Sequence, residues 1–281
     1  MAGEFINESP AIVRLYKTDG RGITWPLLQA ACLSHIGNRR GNNEDNFFFN
    51  GICLEEEHTS THDPLLMERV LQEDVCLGVF DGMGGENYGE QASFTAASEM
   101  QALTGKPKLF YQSGGKYLGN LALALNDAVF RRAQELMTGR MGTTMAALYF
   151  SGNRVYVCNV GDSRVYRLRD HVFAQLSQDH VSTRIPAPGR KAPLTQHLGM
   201  NPEDVRIEPF VIKDSMQSGD IYLMCSDGLT DMVDNLALSD ILSRSENPEQ
   251  CALNLLQAAL DGGGKDNITI IVCRVQETSL R

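Results

Sequence analysis

Apolar segments of this 281-residue sequence run repeatedly into carboxylates. VCLGVF ends in Asp81-Gly82, VYVCNV in Gly161-Asp162, and IYLMCS in Asp227-Gly228, with Asp231 one helical turn later. Asp266-Asn267 precede the last apolar run and Glu44-Asp45 precede an early one. A carboxylate at the end of a buried strand is costly unless it is paired or bound to a cation. One Asp-Gly is ordinary turn chemistry; the recurrence points instead to a shared metal site. Converging carboxylates repel one another, which raises their pKa values until a cation arrives. The ligands are oxygens, with no His or Cys at metal spacing, so the expected ions are magnesium or manganese. Several acids are enough for two such ions, which can activate a water and stabilise charge on a phosphoryl group. The glycines of Asp81-Gly82-Met83-Gly84-Gly85 allow close backbone approach, and the Gly82 carbonyl is itself a candidate ligand. Arg40, just before Glu44-Asp45, would be carried to the same end of a sheet, where a guanidinium matches phosphate geometry. The alternative for Arg40 is a salt bridge to one of those acids.

The elements that must position these residues follow from periodicity. Strands are expected at 29–36, 46–53 and 75–80, then at TTMAALYF, RVYVCNV, SRVYRL, HVFAQL, 205–211, 220–226 and 268–275. Helices are expected at about 87–103, 117–137, 238–244 and 248–260, the first two with apolar stripes that read as core faces. Strands come as consecutive hairpins and helices as pairs, which favours a layered α+β fold over a doubly wound parallel sheet. Residues 1–28 read as an N-terminal extension and 29–277 as one domain. Segment 54–74, with Glu55, Glu56, Glu57, His58, His62 and Asp63, reads as a solvated loop because its acids lack regular ligand spacing. The Pro- and Gly-rich loop 179–204 is long enough to expect a function.

Composition narrows the class. A formal net charge of −10 at pH 7 argues against nucleic-acid binding. No segment is long and apolar enough for a membrane span, and MAGEFINESP lacks the start of a signal peptide. Seven cysteines without a C-x-x-C pair read as reduced, buried thiols of a cytoplasmic protein.

Taken together, R-x-x-x-E-D at 40–45, D-G-M-G-G at 81–85, G-T-T at 142–144, N-V-G-D-S-R at 159–164, S-D-G-L-x-D at 226–231 and K-D-N at 265–267 resemble the metal-dependent protein serine/threonine phosphatases of type 2C, in its bacterial branch. The six motifs occur in the family's order, across roughly residues 30–275. The resemblance implies a four-layer α-β-β-α sandwich, two antiparallel sheets flanked by helix pairs. It implies hydrolysis of phosphoserine and phosphothreonine in proteins by direct attack of a metal-bridging water. By position, Asp81 would bridge two ions, with the Gly82 carbonyl on one. Asp227 and Asp266 would hold the first ion, and Glu44 and Asp45 would support the second. Asp162 and Asp231 match a third, weaker site, Arg40 matches the phosphate ligand, and 179–204 matches the flap bordering the site. Implied partners are phosphorylated proteins and a cognate serine/threonine kinase, with the chain a monomer.

Some residues depart from the pattern. Met83 stands where eukaryotic relatives have a proposed general-acid His, a replacement common in bacterial members. Met141 replaces a usual Ser, and His197 lies near a frequent Arg. His180 is a possible proton donor, although a structural hydrogen bond is the plainer reading. GGGKDN is not a P-loop, and Gly-Asp-Ser-Arg is not a nucleophile elbow. VFDG lacks the Asp-x-Asp of haloacid-dehalogenase-like enzymes, so covalent catalysis is unsupported. The alternative from another functional class is a catalytically silent module that keeps the fold and binds phosphoproteins or a regulator.

Overall fold

The computed structural model describes residues 25–84, 88–104, 114–138, 141–184 and 191–277. In chain order the strands are β1 (Pro26–His35), β2 (Asp45–Phe48), β3 (Leu65–Val70), β4 (Val75–Gly84), β5 (Met141–Thr143), β6 (Met145–Ser151), β7 (Arg154–Val160), β8 (Arg164–Arg169), β9 (Val172–Gln175), β10 (Phe210–Ser215), β11 (Ile221–Cys225) and β12 (Ile268–Glu277). Helices α1 (Tyr88–Thr104) and α2 (Gly114–Glu135) follow β4; α3 (Asp227–Thr230), α4 (Asn235–Arg244) and α5 (Pro248–Asp261) lie between β11 and β12. One sheet has the order β3-β1-β12-β11-β8-β9; the other runs β10-β7-β6-β4-β2, with β5 paired to β4. All pairings described are antiparallel.

Three apolar layers separate four layers of secondary structure, the expected α-β-β-α sandwich. Ala92, Ala96 and Met100 of α1 and Leu118, Leu121 and Leu125 of α2 pack on Phe80, Ala147 and Cys158. Leu77, Val79, Leu148 and Val157 of the same sheet turn the other way, onto Cys32, Met224, Ile271 and Cys273 of the second sheet. Leu223, Cys225, Ile270 and Val272 then face Leu238, Leu242, Leu255 and Ala259 of α4 and α5. Both faces of the central strands are therefore dry. This explains why β6, β7 and β11 read as unbroken apolar runs, not as alternating ones. The helices start where capping chemistry predicts. Asp234 accepts from the Ala237 N–H, and Asn247 accepts from Gln250 with Pro248 next to it. At the end of the sandwich where β11 begins, Arg167 pairs with Asp214 and Arg169 with buried Asp220, fastening β8 to the segment from β10 to β11.

Several boundaries differ from the sequence expectation. Segment 54–74 is not all loop, since it contains β3, an edge strand in which only Met67 is buried. The strand expected at 205–211 begins at Phe210 instead: Pro209 has no N–H to give a ladder, and pairing with β7 starts directly after it. β1 begins at Pro26, inside the segment read as an extension, while residues 1–24 lie outside the described residues. Residues 185–190 of loop 179–204 also lie outside them; the rest is irregular, held by the bridges Val181–Leu194 and Thr143–Leu198. The described cysteines are all free, five of them buried. No described helix is long and apolar enough to cross a membrane.

Candidate metal centre

The carboxylates converge because the strands that carry them end together. Asp45 and Asp81 are direct cross-strand partners on β2 and β4. Asp227 follows β11 and Asp266 precedes β12, which are neighbours in the facing sheet. Asp162 follows β7 in the sheet that holds β4. Burial raises the Asp81 carboxyl well above its ordinary range, and Asp45, Asp227, Asp162 and Asp266 push it further. Burial likewise lifts Asp45 to about 7, against hydrogen bonds from Ser226 and Thr269 that hold it down. Asp162 rises to about 6, first through burial and then through Asp227. Asp227 is raised by burial and opposed by Lys191.

Each acid is held by neighbours that pattern reading alone did not assign. The threonines of Gly-Thr-Thr grip the backbone of Asp81. Its N–H donates to Thr144 Oγ1 at 3.0 Å, and its carbonyl accepts from Thr143 Oγ1 and the Thr144 N–H, both at 2.9 Å. Ser226 Oγ donates to Asp45 Oδ2 at 2.6 Å and accepts from the Thr269 N–H at 3.0 Å, so one hydroxyl joins the two sheets beside the acids. Asn267 organises the loop before β2. Its Oδ1 accepts from the Glu44 N–H at 2.8 Å, and its amide donates to the carbonyls of Ile36 and Asn42 at 2.9 and 2.8 Å. That clamp brings Arg40 to Asp266, where Nη2 and Oδ2 stand 2.7 Å apart. The salt-bridge alternative for Arg40 is thus realised, but with Asp266 in place of Glu44 or Asp45.

Gly228 permits the approach of α3 to β12 that sets Asp227 beside Asp266. A Cβ there would lie 1.9 Å from the Asn267 carbonyl oxygen, which is backbone and has little room to yield. Gly228→Ala is expected to cost about 1–3 kcal/mol, the usual range for forced overpacking. A chemical-denaturation midpoint equal to that of wild type would show that the approach is not tight.

The motif residues therefore meet at one end of the sandwich, but not as a ready-made cage. Among the described residues, no group of three His, Cys, Asp or Glu is placed to hold an ion as it stands. Two of the chain's own cations sit among the acids: Arg40 on Asp266, and Lys191 from loop 179–204 on Asp227 at 2.5 Å and on Asp231. Asp231 is the C-cap of α3, its N–H on the Asp227 carbonyl at 2.8 Å, which realises the one-turn spacing. The donor set is all oxygen and strongly charged, and burial first, then neighbouring carboxylates, raise Asp81, Asp45, Asp162 and Asp227. That chemistry fits hard divalent cations. His180 is structural: Nδ1 accepts from the Gly161 N–H at 3.1 Å. His197 Nδ1 bonds the Leu198 carbonyl at 2.9 Å.

Fold and site together describe a carboxylate-lined centre between two antiparallel sheets, and comparison with known proteins gives the class. Residues 36–185 match the family Protein phosphatase 2C. The chain is 33% identical over 211 residues to the serine/threonine protein phosphatase PstP of Mycobacterium tuberculosis, covering 71% of this chain and 40% of that protein. It is 32% identical over 214 residues to the serine/threonine phosphatase stp of Listeria monocytogenes, covering 69% of this chain and 82% of that one. A crystal structure of the catalytic domain of PstP in complex with two manganese ions superposes with a TM-score of 0.70 at 29% identity, over 89% of this chain and 99% of that one. The chain belongs to the protein phosphatase 2C family. It spans about 40% of the length of PstP itself.

Proposed function

We propose that this chain is a metal-dependent protein phosphatase that hydrolyses phosphoserine and phosphothreonine with manganese or magnesium. The observation that carries the reading is the convergence of Asp81, Asp45, Asp162, Asp227 and Asp266, from both sheets, into one mutually repelling group. Asp81, Asp227 and Asp266 would hold one ion, with Asp81 shared by a second and the Gly82 carbonyl on one of the two. Glu44 and Asp45 would support a second on the β2 side, and Asp162 and Asp231 a third. When bound, the ions supply an activated water and neutralise charge on the phosphoryl oxygens.

The chain's own residues do the remainder. Thr143 and Thr144 fix the direction of Asp81. Asn267 fixes the loop that presents Arg40, 43% exposed at the rim, where its guanidinium meets a substrate phosphate by bidentate hydrogen bonding. Arg40 would release Asp266 to take the phosphate, an exchange that would be eased where Asp266 is committed to a cation. Among the described residues of loop 179–204, Lys191 reaches Asp227 at the same end, which supports reading this loop as the flap that touches the protein carrying the phosphate.

The test is phosphate release from a phosphothreonine peptide by purified, folded protein, first with manganese and then with excess EDTA. Manganese-dependent turnover abolished by EDTA is expected. Folded protein that takes up manganese but releases no phosphate would leave the silent binding module as the reading.

A further inference from the structure

Glu90 belongs to none of the sequence motifs assigned to the site, yet it lies against it. It stands in the first turn of α1. The preceding Gly89 packs directly on Glu44: a Cβ there would lie 2.6 Å from the Glu44 carboxyl carbon. Asn42, two residues before Glu44, donates from Nδ2 to Glu90 Oε1 at 2.5 Å, which ties α1 to the loop that carries Glu44. Among the described residues, the other Glu90 oxygen, Oε2, is buried with no hydrogen-bond partner. Among the described residues no Lys, Arg or His pairs with Glu90. Asn42 and Glu90 also line a cavity of about 620 Å³ together with Glu56, Glu57 and His58, so the neighbourhood adds negative charge without neutralising it.

A buried carboxylate oxygen without a donor, one residue from the contact with Glu44, is an unusual arrangement that the water shell of a cation would satisfy. We infer that Glu90 is a positioning residue of the metal centre: with Glu44 it accepts hydrogen bonds from the water shell of the ion on the β2 side, and Asn42 sets the spacing of the two carboxylates. This rests on the metal-dependent reading above. The partners that orient an ion's shell are worth roughly 10- to 100-fold in metal affinity where they have been removed in other sites.

Glu90→Gln separates this role from a structural one. The amide keeps the size of the side chain and an oxygen for Asn42, but replaces the orphan acceptor by a donor and removes the repulsion on Glu44. Manganese binding is measured by calorimetry and electron paramagnetic resonance, and unfolding is followed in EDTA. The expected result is one ion bound roughly 10- to 100-fold more weakly, the other within about twofold, and a melting temperature in EDTA equal to or above that of wild type. Glu90→Asp, which keeps the charge, should recover part of the lost affinity. Wild-type affinity for every ion in Glu90→Gln overturns the inference while the metal centre stands. So does a lower melting temperature in EDTA, which would mark a role in holding α1. A wild-type chain that takes up no manganese overturns the metal centre, and this inference with it.

Discussion

Asp81→Asn protein should fold, lose manganese, and release phosphate at least ~10²-fold more slowly than wild type, in line with the loss of a preorganised electrostatic group. The size of the effect follows from where Asp81 stands. Its electrostatic neighbours come from both sheets, with Asp45 and Asp162 on one side and Asp227 and Asp266 on the other. No other carboxylate can take its place, because its backbone is fixed at both ends by Thr143 and Thr144. The amide is isosteric and keeps those backbone bonds, so the fold is not at risk. It also removes one charge from a crowded group, so the protein in EDTA should melt at a higher temperature than wild type. A loss of function together with a gain in stability is the signature of a functional site whose electrostatics oppose folding. Phosphate release, manganese calorimetry and thermal melts on the same preparation decide the matter. Turnover near the wild-type rate with manganese bound would remove Asp81 from the mechanism.

The acids were legible in the sequence because strand ends are the only places where a dry apolar run can meet a carboxylate, and the runs themselves were unmistakable. The four-layer architecture followed from the same fact together with the paired helices. Segments with one wet side were harder to read. β3 carries Glu68 and Arg69 and lies at a sheet edge, so its pattern merged with the acidic loop before it. In the strand expected at 205–211, Ile207 is instead buried against the α1–α2 layer without strand pairing, and Pro209 sets the true start of β10. The supporting residues were least legible. Ser226, Thr269 and Asn267 are common polar residues whose importance comes from contacts across more than 40 positions of chain. Spacing along the sequence holds no trace of such contacts. The partner of Arg40 was misplaced for the same reason: Glu44 is near in sequence, but the Asn267 clamp turns the guanidinium toward Asp266.

The raised carboxyls also fix how stability should depend on pH. An Asp of ordinary pKa near 4 in the unfolded chain stands at about 7 at Asp45 and about 6 at Asp162 in the folded one. The folded state therefore holds more protons across that interval, so stability is fully present below about pH 4 and is lost as pH rises through the folded values. Each unit of difference is worth about 1.4 kcal/mol, so the loss between pH 5 and 8 in EDTA should amount to a few kcal/mol. His35 and His180 act in the opposite sense, because burial lowers their pKa values and the unfolded chain takes up their protons first. Asp45→Asn isolates one carboxylate: it should make the fall in EDTA shallower, leaving the part carried by Asp162 and its neighbours, which the histidines oppose. Manganese should reverse the trend in wild type, since its ligands must be deprotonated and its binding to the folded state grows as they ionise. Melting curves at half-unit pH steps, with manganese and with EDTA, would show two lines that diverge as pH increases. Parallel lines, or an EDTA line that climbs through this range in wild type and Asp45→Asn alike, would mean that the acids do not share a charge-crowded site and that the cation has some other seat.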